Sequence, residues 1–87
     1  MSDDIKTWIV EWFRENTDLK DDEIGVKENY FEKGWIDSFK FISFITNIEE
    51  IFDIRFSNDE FQDRGFSTIE GIVKIIRRKT NEKEKRA

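Results

Sequence analysis

Phe31-Glu32-Lys33-Gly34-Trp35-Ile36-Asp37-Ser38-Phe39 runs directly into Lys40-Phe41-Ile42-Ser43-Phe44-Ile45-Thr46-Asn47-Ile48-Glu49-Glu50. A loop with a glycine ends in an Asp-Ser pair, and that pair opens an amphipathic segment. Phe41, Ile42, Phe44, Ile45, Ile48, Ile51 and Phe52 recur at helical spacing. They predict a helix over Ser38–Phe52 with an apolar face wide enough to touch several neighbours. Phe39 and Lys40 fall outside that face.

Upstream, Ile5, Trp8, Ile9, Trp12 and Phe13 follow the i, i+3, i+4, i+7, i+8 rule of one helical face. This first helix is expected to run to about Glu15, capped by Ser2, with Asp3 and Asp4 favouring the positive end of its dipole. Trp8, Trp12 and Phe13 read as core. Residues 17–37 form a long connection that carries Leu19, Ile24, Val26, Tyr30, Phe31, Trp35 and Ile36. So many apolar residues argue for an ordered loop packed over the helices, with a short helical turn near Asn29 to Glu32. Its Asp21-Asp22-Glu23 run lacks the spaced ligands and glycine of a calcium loop and reads as solvated.

Downstream, Asp53-Ile54-Arg55-Phe56 reads as an extended connector with Ile54 and Phe56 turned inward. Ser57-Asn58-Asp59-Glu60 matches a capping box and starts a short third helix with Phe61, stopped near Gly65. Ser67-Thr68-Ile69-Glu70 matches a second box. It opens a fourth helix built on Ile69, Ile72, Val73 and Ile76, with Gly71 inside it. The expected fold is all-α: a bundle of three longer helices and one short third helix, with the long loop between the first two. Residues 1–79 form one domain, and residues 80–87 are expected to be a disordered basic tail.

Composition narrows the function. The 87 residues contain no Cys and no His, so thiolate chemistry, the commonest metal ligands and the commonest general base are missing. Nine Phe and three Trp supply the core instead. Residues 1–63 hold 17 acidic and 7 basic side chains, and residues 64–87 hold 3 acidic and 8 basic. An acidic body with a basic end does not suit nucleic acid, whose partners line a folded face with cations. It suits protein partners with basic patches. No apolar run is long enough to span a bilayer, and the acidic start is unlike a signal peptide, so a monomer in the cytoplasm is expected, without membrane insertion.

A serine at a helix start is ordinarily an N-cap, and either Asp37 or Ser38 could fill that role. As a nucleophile Ser38 would need a base and an orienting group. No His is present, no Ser-x-x-Lys pair starts there, and no nucleophile elbow surrounds it. Catalysis is therefore not expected, and no residue is assigned a catalytic or metal-binding role. A modification site needs less. A phosphate esterified at a helix start meets free N–H groups and the positive end of the dipole.

Phe31-x-x-Gly34-x-x-Asp37-Ser38-Phe39, followed by a helix ending Ile48-Glu49-Glu50-Ile51-Phe52, resembles the acyl carrier proteins and the related peptidyl and D-alanyl carriers. The resemblance spans roughly Ile5 to Ile76. It implies a four-helix carrier fold and no enzymatic activity of its own. Ser38 is implied to bear a covalent 4′-phosphopantetheine arm, added from coenzyme A by a phosphopantetheinyl transferase that reads Asp37. The arm's thiol would hold acyl or aminoacyl groups as thioesters, in fatty-acid, polyketide or other specialised biosynthesis. Acyl-activating ligases or synthases and acyltransferases are the implied partners. Phe39 replaces the usual Leu or Met, and Lys40 and Ser43 stand where fatty-acid carriers are commonly acidic, while Glu49 and Glu50 remain. That departure argues against a housekeeping fatty-acid carrier. Phe52-Asp53-Ile54-Arg55 with Glu60-Phe61 resembles the D-alanyl branch, which serves cell-envelope modification. Phe39, Lys40, Trp35, Glu49 and Glu50 are the expected partner contacts, with local packing an equal alternative for Trp35 and Phe39. An adaptor bundle that has lost the arm is the other reading.

Overall fold

The computed structural model describes the backbone of residues 3–86 and the side chains of residues 4–81 other than Asp21. Among these residues the chain forms α1 (Asp3–Asn16), α2 (Ser38–Phe52), α3 (Asn58–Phe61) and α4 (Ile69–Arg86). One-turn 3-10 helices lie at Asp21–Glu23 and Arg64–Ser67. No strand forms among the described residues, only an isolated bridge between Asn29 and Thr68. The Ser2 cap expected for α1 lies outside the described residues.

Aromatic rings fill the space between α1, α2 and the long loop. Phe13 and Phe44 are fully buried, their ring centres 5.3 Å apart. Trp12 packs on Phe44 at 4.7 Å, and Tyr30 packs on Phe13 at 5.4 Å. α4 closes the core with Ile69, Ile72, Val73 and Ile76, joined by Ile75, which lay outside the expected stripe. Phe66, in the connection before α4, is also buried and meets Phe56 and Phe61 at 5.0 Å each.

The long loop is tied down along its length. Tyr30 donates its phenolic hydrogen to the Phe66 carbonyl. Its amide donates to Ser67 O at 3.0 Å, and the Glu70 amide donates to Val26 O at 2.8 Å. Buried backbone groups need partners, and these bonds supply them where no sheet or helix can. The expected helical turn in the loop follows Asn29. The Asn29 side chain accepts from the amides of Phe31 and Glu32 at 2.9 and 3.0 Å. Gly34 leaves that turn at φ 72°, a left-handed conformation that favours glycine.

Three expectations need correction. Ile42 and Ile51, assigned to the core face of α2, are 63 % and 59 % exposed. The inward stripe is narrower, made of Phe44, Ile45 and Ile48 with Phe41 and Phe52 half-buried, because no element covers the flanks of α2 where Ile42 and Ile51 lie. The second capping box is displaced by one residue. Thr68, not Ser67, caps α4 by accepting the Gly71 amide at 3.0 Å. Glu70 instead pairs with Lys74 at 3.6 Å, and its own amide donates to Val26 O in the loop. Gly65 does not simply stop α3, which ends at Phe61. It lies in the following 3-10 turn against Gly71, where a Cβ on Gly71 would stand 1.9 Å from the Gly65 carbonyl oxygen. α4 is helical to Arg86. Glu, Lys and Arg are strong helix formers and sustain the helix after its apolar face has ended.

Candidate functional site

The start of α2 assigns separate tasks to Asp37 and Ser38. Asp37 has extended backbone (φ −104°, ψ −173°), and its carboxylate accepts the Lys40 amide at 2.9 Å. Asp37 is therefore the N-cap. Ser38 is the first helical residue, exposed, and its hydroxyl has no hydrogen-bond partner among the described residues. The amides of Ser38 and Phe39, at the first two helical positions, have no intrahelical acceptor. An esterified phosphate on Ser38 Oγ would lie beside two open donors and the positive end of the dipole, with the capping carboxylate of Asp37, held by the Lys40 amide, as its acidic neighbour.

The loop brings Trp35 and Phe31 toward this helix start. Trp35 is half-buried and meets the Phe13 ring edge-on at 6.2 Å, so packing accounts for much of it. Its amide donates to Tyr30 O at 3.0 Å and Ile36 is buried, which holds the residues before Asp37 against the core. Phe39 projects outward, 84 % exposed.

Two of the charged residues expected to meet partners are engaged within the chain. Lys40 Nζ donates to the Asn16 carbonyl, where a cation suits the C-terminal end of α1. Glu49 is half-buried, and its carboxylate accepts the Phe56 amide at 3.0 Å, securing the connector after α2. Glu50 is exposed. Nothing in the spacing of Lys40 or Glu49 signals these partners, which lie 24 and 7 residues away.

The residues resembling the D-alanyl branch also have structural work. Asp53 ends α2 in a left-handed conformation, φ 54°, and its amide donates to Glu49 O. Glu60 completes the box of α3 and holds Lys79 at 2.8 Å and Arg78 at 3.4 Å on α4. Burial works to raise the Glu60 pKa, but the hydrogen bonds from Lys79 and Ser57 and the Lys79 charge outweigh it and hold it below the ordinary value. Sequence reading missed this latch. The Ser57-x-x-Glu60 spacing shows the box, but not the partners 18 and 19 residues on.

Among the described residues no group of acidic side chains is arranged to hold a metal ion. Asp21-Asp22-Glu23 forms a 3-10 turn in which Glu23 accepts the Lys20 amide at 2.9 Å. No helix among the described residues is long and apolar enough to cross a membrane.

The family model described as "Phosphopantetheine attachment site" matches residues 7–76, which include all of α2 and the loop before it. No curated protein and no solved structure gives a significant match. A helical bundle with a capped, exposed serine and a family match over most of its length lead to one conclusion: the chain belongs to the phosphopantetheine attachment site family, the carriers whose prosthetic group is a covalently attached 4′-phosphopantetheine.

Proposed function

We propose that Ser38 is the attachment point and that the chain is a specialised acyl or aminoacyl carrier. The observation that carries this reading is the division of labour at the helix start. Asp37 caps α2, which leaves the Ser38 hydroxyl exposed and uncommitted. On loading, Ser38 Oγ gives up its proton and gains a bond to the phosphoryl group of the pantetheine half of coenzyme A, and adenosine bisphosphate leaves. The chain's own contribution is positional. The Asp37 cap and the packed Trp35 and Ile36 hold the hydroxyl outward, while the first-turn amides face the new phosphodiester. When bound, the arm supplies the thiol that carries the cargo as a thioester, which a chain without cysteine cannot.

In this reading the chain is not itself an enzyme, and residues 1–79 act as one carrier unit. Its partners are a phosphopantetheinyl transferase, an acyl-activating ligase or synthase and an acyltransferase, in the cytoplasm. Phe39 and Glu50 are the exposed residues of the expected contact set. A specialised pathway is favoured over general fatty-acid synthesis because the first turn of α2 has no acidic residue for a basic partner to read.

The test is intact mass after incubation with coenzyme A and a broad-specificity transferase. One phosphopantetheinyl group on the native chain and none on Ser38→Ala is the expected result. Equal addition to both, or none to the native chain, would sink the assignment.

A further inference from the structure

Cations gather on a face of the molecule that the Ser38 site does not use. A groove of about 380 Å³ opens between α1, the long loop and α4. Lys6 reaches it from α1, Lys27 from the loop, and Lys74 and Arg77 from α4. Its floor is apolar: Val26 is half-buried, and Val73 and Ile69 are buried. One acid, Glu70, lines the groove and pairs with Lys74 at 3.6 Å, an exposed contact that water screens. Lys6 and Lys27 are exposed and pair with no acidic side chain among the described residues. Elsewhere on the acidic body, Arg14 and Lys33 have Glu11 and Glu28 beside them. In a chain of net charge −5, four cations around one acid are a local reversal of sign. Like charges held together repel. The loop is fastened here by the bond from the Glu70 amide to Val26 O, which needs none of them.

We infer that this groove is a second docking surface, for an acidic segment of a partner protein that seats one apolar side chain between its carboxylates. The cationic rim selects the acids, and the floor selects the apolar side chain. A lipid surface fits less well. Helices that lie on membranes push apolar side chains outward beside their cations, whereas Ile69 and Val73 are recessed. No lining residue belongs to α2. Lys6 stands about 15 Å along α1 from Asn16, the residue that Lys40 reaches from the start of α2. A segment in the groove therefore leaves Ser38 uncovered, and a partner can hold the chain there while the serine stays accessible. The inference goes beyond the tether reading and does not depend on it.

The test follows the backbone amides of the full, isotope-labelled chain by NMR as two peptides are added. One is acetyl-Asp-Glu-Leu-Glu-Asp-amide, and the other has Ser in place of Leu. The amides of Val26, Lys27, Glu70, Val73 and Lys74 are expected to shift together and to saturate. The peptide without Leu should bind about five- to tenfold more weakly, as expected for one partly buried side chain. Lys6→Glu/Lys27→Glu should weaken binding of the Leu peptide about tenfold. Lys20→Glu/Arg55→Glu makes the same change of net charge outside the groove and should weaken it less than about twofold. All four positions are exposed, and matching thermal melts show that folding is intact. Equal binding of both peptides, or equal losses in the two double variants, would reduce the groove to diffuse attraction and overturn the inference. So would the absence of groove shifts at about 5 mM peptide. Sedimentation with vesicles holding about 30 % phosphatidylserine, without peptide binding, would assign the cations to a membrane instead. A concentration-dependent dimer that Lys6→Glu/Lys27→Glu abolishes would assign them to a second copy, and either result overturns the inference. None of these readouts involves coenzyme A or Ser38, so failure here and failure of the tether reading are told apart.

Discussion

The carboxylate of Asp37 accepts the backbone amide of Lys40 at 2.9 Å, so the residue before Ser38 caps α2 and the serine does not. Removing the cap should cost on both sides of that relationship. Asp37→Ala is expected to lower stability by about 1 kcal/mol, which for a chain of this size is a fall of about 4–8 °C in melting temperature. It should also slow phosphopantetheinylation, because Ser38 becomes the nearest hydroxyl to the orphaned amides. Asp37→Asn keeps a capping oxygen and should recover the stability. Thermal melts and a time course of intact mass separate the two effects.

Glu60 links α3 to α4, and its lowered pKa makes the link sensitive to acid. A carboxylate with a depressed folded-state pKa contributes stability above its unfolded value, near 4.3 for glutamate, and loses that contribution as pH falls through the folded value. Glu60→Gln should therefore cost about 1.5–3 kcal/mol at neutral pH, the range for a hydrogen bond to a charged group. The gap between variant and native chain should close once pH falls below the ordinary glutamate range. Urea unfolding across pH measures it, and a gap independent of pH would refute the assignment.

Two glycines should respond to alanine for different reasons. At Gly71 the new Cβ would stand 1.9 Å from the Gly65 carbonyl oxygen, a backbone atom that cannot move aside cheaply. A loss of about 3 kcal/mol or more is expected, at the severe end of overpacking. At Gly34 nothing lies within 4 Å of the added carbon, and only the φ of 72° opposes it. The expected cost there is about 1–2 kcal/mol. Denaturant midpoints rank the two directly.

The Tyr30 hydroxyl is buried, and its bond to the Phe66 carbonyl pins the loop that carries Trp35, Ile36 and Asp37. Tyr30→Phe leaves that carbonyl without its partner and should cost about 1–3 kcal/mol. Burial pushes the Tyr30 pKa upward. Its contribution is complete below the unfolded value near 10 and falls as pH rises above it, where the unfolded chain ionises first. Alkaline melts should fall off less steeply from that point in Tyr30→Phe than in the native chain.

Local signals carried well in this sequence. The Asp-Ser pair and the apolar period bound α2 at Ser38 and Phe52, and the Ser57–Glu60 box marked α3, because caps and periods are written within a few residues. Phe39 already stood outside the inward face. Ile42 and Ile51 did not read as exposed, since an apolar stripe shows which side of a helix could be buried and not how far its neighbours reach. The same limit hid the roles of Lys40, Glu49 and Glu60. Each is settled by a partner 7 to 24 residues away that only the folded chain brings near. The docking of Tyr30 on Phe66 spans 36 residues and leaves no local trace.

The central claim is that Ser38, and no other hydroxyl, bears the arm. Cleavage of the loaded native chain after Lys33 and Lys40 releases Gly34-Trp35-Ile36-Asp37-Ser38-Phe39-Lys40, in which Ser38 is the sole hydroxyl-bearing side chain. Tandem mass spectrometry of the digest should find the phosphopantetheinyl mass on that peptide and on Ser38 within it. Finding the group on a peptide holding Ser43, Ser57 or Ser67, with the Gly34–Lys40 peptide unmodified, would contradict the account.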